Sequence, residues 1–194
     1  MYVLAGPNGA GKSTLYDIRI RPHTYAPFIN ADEILKQRQI EGEELDAYRA
    51  AEIAAEMRAG HLAAGASFVT ETVFSHPSKL DLVHAAKEAG FRVVLFHVNV
   101  ESADLSVARV RWRVSQGGHD VPEDKIRARY ERSAQYIREA IGLADLAQIY
   151  DSSKEAAPPR WVLTFRHGQL HSASDAVPAW ARALYGIGRT HVRA

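Results

Sequence analysis

Short apolar runs alternate with longer stretches of helical periodicity along most of the chain. Apolar runs bounded by glycine or small polar residues predict buried strands, and apolar residues three or four positions apart predict amphipathic helices. The pattern predicts five strands, at 2–5, 25–30, 67–72, 91–100 and 146–150. It predicts helices between them, at 12–20, 33–39, 43–59, 77–90, 102–116 and about 120–141. Strands that alternate with helices favour an α/β fold in which a parallel five-stranded sheet has helices on both faces.

The last part of the chain departs from this alternation. Two apolar segments joined by a glycine turn, 161–165 and 169–172, predict a small C-terminal hairpin, and 178–185 predicts a short last helix before a frayed tail. A linker-like stretch, 152–159, precedes them. The length of 194 residues suits a single domain over 1–194, with a core over 1–155 and a C-terminal hairpin and helix over 160–194.

Composition and charge exclude several function classes. The chain has no cysteine, which rules out disulfides, cysteine zinc sites and a cysteine nucleophile. Its net charge is only +1, which makes a nucleic-acid partner unlikely by composition. No apolar run approaches the roughly 18 residues of a membrane span, and the apolar segment 2–5 lacks the basic leader of a signal peptide. We therefore expect a cytoplasmic protein with no membrane partner.

A glycine-rich turn between the first strand and the first helix carries the strongest chemical signal. It matches G-x-x-x-x-G-K-[ST], a P-loop or Walker A motif, in the correct strand-turn-helix context. The matching residues are Gly6, Pro7, Asn8, Gly9, Ala10, Gly11, Lys12 and Ser13. Inward-pointing backbone N–H groups and the helix N-terminus favour phosphate here. Lys12 is expected to reach the β- and γ-phosphates and Ser13 to ligate Mg²⁺, so the motif predicts ATP or GTP with Mg²⁺.

A P-loop does not by itself identify the reaction, and three classes compete: a kinase of a small acceptor, a GTPase and an ABC-type ATPase. The N-K-x-D sequence that reads guanine in GTPases is absent. The segment 114–118 resembles the ABC signature L-S-G-G-Q only loosely, and no apolar strand ends in the Asp-Glu pair of such ATPases.

Two acids at strand ends favour the kinase. A phosphoryl acceptor needs a carboxylate that orients its hydroxyl and takes the proton. Asp32 follows the second strand and would lie beside the P-loop if the two strands are neighbours; the alternative is a helix N-cap. Glu71 ends the third strand and should face the cleft, and its alternative is a salt-bridged structural acid.

The third feature is a basic stretch, since residues 105–138 carry eight Lys and Arg against four Asp and Glu. Its helices flank a Gly-Gly break, with Asp120 predicted as N-cap of the second helix. Four arginines lie on the two sides of this break: Arg109, Arg113, Arg129 and Arg132. The arrangement resembles the lid of small P-loop kinases, near 113–130, which closes over ATP; ordinary surface arginine is the alternative.

These features together resemble the zeta-toxin-like family of P-loop kinases, in the compact branch often labelled as ABC-type ATPases. The resemblance covers about residues 1–155 and rests on five segments, 6–14, 28–34, 71–75, 113–133 and 150–153.

The resemblance implies an NMP-kinase-like fold and transfer of the γ-phosphate of ATP. It assigns the ATP and Mg²⁺ contacts to the P-loop through Thr14, with Arg109 and Arg132 beside the nucleotide. Asp32 matches the catalytic base, Glu71 and Thr72 the acceptor side, and Arg113 and Arg129 the lid arginines. Zeta toxins phosphorylate the 3′-hydroxyl of the amino sugar in UDP-N-acetylglucosamine, and the resemblance raises an antitoxin protein as a candidate partner. The alternatives are a kinase of another nucleotide or metabolite such as NAD, and an ATPase switch protein that phosphorylates nothing.

Overall fold

The apolar segments assemble into one seven-stranded sheet. The computed structural model describes residues 1–188, so the last six residues of the predicted 160–194 segment and its frayed tail lie outside the described residues. The strands are β1 Tyr2–Ala5, β2 Phe28–Ile29, β3 Val69–Thr72, β4 Val94–Asn99, β5 Leu146–Asp151, β6 Arg160–Arg166 and β7 Gln169–Ala173. Their order is β2-β3-β1-β4-β5-β6-β7. The first five are parallel, and β6 and β7 are antiparallel to their neighbours.

The helices connect these strands in the predicted alternation. They are α1 Lys12–Leu15, α2 Ala31–Ile40, α3 Ala47–Ala63, α4 Ser78–Glu88, α5 Ala103–Ser115, α6 Glu123–Leu143 and α7 Ala179–Tyr185. A π-helical turn, Tyr16–Ile20, and a 3₁₀ turn, Arg21–His23, continue α1. Among the described residues, every helix is too short or too polar to cross a membrane.

The prediction of a mixed α/β fold with five parallel strands is confirmed, and the sheet contains two further strands. The C-terminal hairpin does not stand apart; it extends the sheet, because β6 pairs antiparallel with β5 from Leu146↔Arg166 onward. An exposed parallel edge at β5 would leave backbone donors and acceptors unpaired, and the hairpin satisfies them. Periodicity along the chain carries no information about which edge a hairpin joins.

Three predicted boundaries also differ from the structure. β2 is only Phe28–Ile29, since Pro27 has no N–H to donate to a ladder. α3 extends to Ala63, past the predicted end at 59, because Leu62 packs against the core. α6 begins at Glu123 after Pro122, so Asp120 is not its N-cap.

The core is divided between the two faces of the sheet. All six residues of β4 are buried, as expected for the strand at the centre of the sheet. The larger cluster lies under α3, α4, α6 and α7, and the smaller one lies under α1 and its π-helical continuation. Because β1 to β5 are parallel, their carboxyl ends meet at one edge, and the loops that follow them converge there.

Gly6 allows the P-loop to leave β1 against the backbone of β4. Its φ is 149°, and a Cβ on this residue would lie 2.0 Å from the Val98 carbonyl oxygen. No side chain fits there without displacing the central strand of the sheet.

We expect Gly6→Ala to destabilise the protein by about 3 kcal/mol or more, since it combines backbone strain with a core clash. The matched control is Gly60→Ala, because Gly60 is helical and nothing lies within 4 Å of a Cβ built there. That change should stabilise the protein by up to about 1 kcal/mol. Urea unfolding of both variants measures the two effects, and equal stability of the variants would contradict the role of Gly6.

Candidate active site

The P-loop forms a turn at the carboxyl end of β1, with a lysine buried inside it. Only 6% of Lys12 is exposed. Its Nζ donates to the Pro7 carbonyl oxygen at 3.0 Å and lies 3.6 Å from Glu71 Oε1. The ammonium group is therefore held between the P-loop backbone and Glu71. The N-terminus of α1, which is close by, also favours an anion.

Glu71 connects the P-loop to the neighbouring strand. It lies near the end of β3, opposite Leu4 of β1, and its Oε2 accepts a hydrogen bond from Ser13 Oγ at 3.2 Å. Glu71 thus contacts both P-loop side chains that the motif assigns to nucleotide binding. Glu71 is thus both salt-bridged and directed at the cleft, because the partner in its ion pair is Lys12 of the P-loop.

Thr72, the next residue, has a different setting. Its Oγ1 accepts a hydrogen bond from the Phe74 backbone N–H at 3.0 Å, which shapes the turn after β3. Phe74 adopts a φ of 60° in this turn. In this structure the hydroxyl of Thr72 therefore contacts the local backbone. Its predicted role on the acceptor side stays a prediction.

Asp32 lies in the first turn of α2 with its side chain exposed. The N-cap of α2 is Asn30, whose Oδ1 accepts from the Asp32 backbone N–H at 2.8 Å, so the N-cap alternative for Asp32 is wrong. β2 and β1 are not neighbours either, because β3 lies between them. Asp32 and the P-loop therefore lie on either side of the β3 end that carries Glu71.

Further acids surround this edge of the sheet. Burial, and after it the negative charges of Glu71 and Asp17, raise the pKa of Glu33 above its ordinary value. Glu33, beside Asp32, is therefore close enough to Glu71 to feel its charge. A site with this much negative charge favours a cation or a proton donor among its ligands.

Arg109 joins the P-loop to the loop after β5. Its Nη1 lies 3.5 Å from the Gly9 carbonyl oxygen and 3.2 Å from Ser152 Oγ, and its Nη2 lies 3.4 Å from the Lys154 carbonyl oxygen. A Cβ on Gly11 would be 3.2 Å from the same Ser152 oxygen. Three segments distant in sequence therefore meet at one side of the P-loop.

The contacts of Ser152 correct the interpretation of 152–159 as a linker, and they add a site residue that sequence reasoning missed. Ser152 is buried, and Pro159 lies 3.8 Å from a Cβ built on Gly11. The available signal was positional, because a loop after a parallel strand must start at the edge where ligands bind. Its small residues and prolines suggested flexibility instead.

The arginines of the predicted lid are spread over α5 and α6. Arg113 Nη2 donates to the His119 carbonyl oxygen at 2.7 Å, and its buried Nε has no hydrogen-bond partner among the described residues. Arg129 is half-buried and Arg132 is exposed, both on α6. The structure brings Arg109 to the P-loop and keeps Arg113 at the turn between the helices.

The turn between α5 and α6 is tightly packed, and the two helices contact each other. A Cβ on Gly118 would lie 2.5 Å from Arg113 Cγ. Arg127 of α6 pairs with Asp104 of α5 at 2.6 Å, and a small apolar cluster fills the space between the helices. α5 and α6 therefore form one helical hairpin, and the Gly-Gly break of the predicted lid lies at its tip.

A buried histidine lies in the sheet beneath the P-loop. His97 of β4 contacts Tyr185 Oη of α7 through its Nδ1. Burial, and after it the charge of Lys12, lower the pKa of His97 to about 3, so the ring is neutral. α7 is also tied to the carboxyl edge, since Trp180 Nε1 donates to Asp151 Oδ1 at 3.0 Å. The C-terminal helix thus supports the floor of the site.

Sequence comparison places this architecture among known proteins. The family model described as AAA domain matches residues 1–136, from β1 into α6. An uncharacterized protein of Haemophilus influenzae is 30% identical over 134 residues, which cover 64% of this chain and 88% of that protein.

Solved structures share the fold at low sequence identity. The AvrRxo1-ORF1:AvrRxo1-ORF2 complex with sulphate ions matches with a TM-score of 0.68 and 16% identity, over 90% of this chain and 60% of the matched chain. The complex with ATP matches with a TM-score of 0.67 and 16% identity, over 88% and 59%. A chain of the PezAT toxin-antitoxin system of Streptococcus pneumoniae matches with a TM-score of 0.58 and 15% identity, over 96% and 83%. These likenesses show that the chain shares the fold of these proteins, and this chain spans about 60% of the matched AvrRxo1 chain.

We expect Arg109→Ala to weaken ATP binding by at least about tenfold, because it removes several hydrogen bonds of one guanidinium around the P-loop. Arg111→Ala is the matched control, since Arg111 lies on the same helix but is exposed and pairs with Glu123. Calorimetric titration with ATP and Mg²⁺ measures both affinities. Equal losses in the two variants would contradict a specific role for Arg109.

His97 should make folding stability depend on pH. The unfolded chain binds a proton at His97 below pH 6.5, whereas the folded protein binds one only near pH 3, so acid favours unfolding. Relative to His97→Gln, the wild type should lose up to about 1.4 kcal/mol per pH unit as the pH falls from 6.5 towards 3. Urea unfolding across this range provides the measurement. Exposed His84 supplies the control, and a His84→Gln slope that also departs from the wild type would refute the assignment.

Proposed function

We propose that this chain, which belongs to the AAA domain family, is an ATP- and Mg²⁺-dependent kinase that phosphorylates a hydroxyl group of a small nucleotide-type acceptor. The observation that carries the proposal is the contact of Glu71 with both Lys12 and Ser13, at the edge of the sheet where the exposed carboxylate of Asp32 follows β2, the neighbour of β3. Phosphoryl transfer requires a phosphate cradle and a carboxylate that orients the acceptor hydroxyl.

The P-loop would hold the phosphates of ATP. Its backbone N–H groups and the N-terminus of α1 favour the negative charge, and Lys12 would move from Glu71 to the β- and γ-phosphates. Oxygen ligands suit Mg²⁺, and Ser13 Oγ and Glu71 Oε2 are 3.2 Å apart beside the loop, so these two residues fit the ion. When bound, Mg²⁺ neutralises charge on the phosphates. On the opposite side, Arg109 and the 152–154 segment would contact the nucleoside.

Asp32 would act as the general base. Its carboxylate accepts the proton of the acceptor hydroxyl as that oxygen bonds to the γ-phosphorus and the bond to ADP breaks. Lid arginines, Arg113 and Arg129, would approach the transferred group when the α5–α6 hairpin closes, and Arg132 would contact the nucleotide. Glu71 and Thr72 would border the acceptor.

For the acceptor we propose UDP-N-acetylglucosamine, on the resemblance to zeta toxins. The fold match to the PezAT toxin-antitoxin system supports this choice, as it supports an antitoxin protein as partner. The other acceptor class is a different nucleotide or metabolite such as NAD. The proposal treats residues 1–194 as one kinase domain that works in the cytoplasm.

A product assay separates the candidate reactions. The protein is incubated with Mg²⁺, ATP labelled at the γ-phosphate, and either UDP-N-acetylglucosamine or a metabolite extract. Label on the sugar nucleotide supports the full proposal, and label on another metabolite supports the kinase but replaces the acceptor. Label only in free phosphate would overturn the kinase in favour of an ATPase switch.

Asp32→Asn should lower phosphoryl transfer by roughly 10²–10⁴-fold and leave ATP binding intact, because it removes a proton acceptor without changing size. Asp124→Asn is a closely matched control, since Asp124 is also exposed and also lies in the first turn of its helix. Transfer rates and ATP affinity are measured for both variants. An Asp32→Asn protein with a near-normal rate would remove Asp32 from the mechanism.

A further inference from the structure

A cavity of about 570 Å³ opens at the amino edge of the sheet, at the other end of the strands from the P-loop. Its floor includes Tyr2 of β1 with Val94 and Phe96 of β4, whose side chains lie on one face of the sheet. Its wall includes Arg19 and His23 from the turns that continue α1. The cavity exists because α3, α4, α6 and α7 all pack on the opposite face.

The charges that line this cavity have one sign. Arg19, His23 and Arg92 border it, and the lining contains no aspartate or glutamate. Within residues 1–188, none of these three side chains takes part in an ion pair. Two guanidinium groups without carboxylate partners leave planar donors available for an anion, and guanidinium geometry suits phosphate.

The rest of the lining is suited to a ring. Tyr2 and Phe96, which both pack on this face of the sheet, supply aromatic surface. A volume of a few hundred Å³ with polar groups beside aromatic side chains is compatible with a small-molecule site. Aromatic side chains stack on flat rings, and cations at the rim hold the charged end.

We propose that this cavity binds a phosphorylated aromatic compound of the nucleoside monophosphate class. The base would lie against Tyr2 and Phe96, and the phosphate would be held by Arg19 and Arg92.

The backbone of the wall is a second observation that points to a ligand. Arg19 and Ile20 belong to the π-helical turn Tyr16–Ile20, and such turns are rare and concentrate at functional sites. The turn continues the helix that begins at Lys12. A ligand in the cavity would therefore touch the same helical segment as a phosphate in the P-loop, from its other end.

Binding to this cavity does not depend on the proposed kinase activity, so the two can fail separately. The test is a titration of the whole chain with AMP, followed by amide chemical shifts in ¹H–¹⁵N NMR. Gly65 and Gly90 line the cavity and report on it, whereas Gly9 and Gly11 report on the P-loop. We expect saturable shifts at Gly65 and Gly90. Shifts confined to Gly9 and Gly11, or no saturation at millimolar AMP, would overturn the proposal.

Substitutions of the residues that line the cavity test which of them bind AMP. The double change Arg19→Gln and Arg92→Gln should weaken AMP binding by at least about tenfold, because charge-assisted hydrogen bonds to phosphate are lost. Arg166→Gln, at an exposed arginine on β6 outside the cavity, should leave it unchanged. Ser67→Trp, at an exposed lining residue, fills the cavity without removing a charge and should abolish the Gly90 shift. AMP binding that survives both cavity variants unchanged would also overturn the proposal.

Discussion

A lysine that is almost fully buried places the strictest electrostatic demand on this protein. Taking an ammonium group out of water is costly unless an anion and hydrogen-bond acceptors surround it. The fold meets the demand for Lys12 with the Pro7 carbonyl oxygen and the carboxylate of Glu71, which requires β3 to lie directly beside β1. A bound phosphate would compete for the same ammonium group. The strand order and the phosphate site are therefore linked through one charge.

The charge of Lys12 also limits which side chains can be buried in the sheet beneath the P-loop. His97 is in the central strand and feels the charge of Lys12, and burial keeps its ring neutral. A second buried cation there would repel Lys12 in a medium of low dielectric constant. Tyr185 and Trp180 bring α7 against this region, so the C-terminal helix helps to exclude water from the underside of the site.

The sequence patterns predicted those features of the fold that depend on residues close together in the chain. The P-loop motif predicted a strand, a turn and a helix that begins at Lys12, as the structure has them, and the alternation of strands and helices predicted the parallel sheet. Long-range pairing was not predictable in this way, because no periodic pattern states that β6 adds to β5 or that β3 separates β2 from β1. Ser152 was missed for the same reason, since its contact with Arg109 joins positions 43 apart in sequence. The roles of Asp32, Arg113 and Arg129 remain predictions, because geometry alone assigns no chemistry to them.

The strand order also has a consequence for synthesis on the ribosome, where the N-terminus emerges first. β1 and the P-loop leave the tunnel well before their neighbours in the sheet, because β3 starts at Val69 and β4 at Val94. The loop that Arg109 reaches follows β5, which starts at Leu146, and α7 starts only at Ala179. The phosphate cradle is thus translated long before the residues that complete it. A nascent chain carries an unassembled cradle until these later elements emerge, so nucleotide can stabilise the fold only after that point.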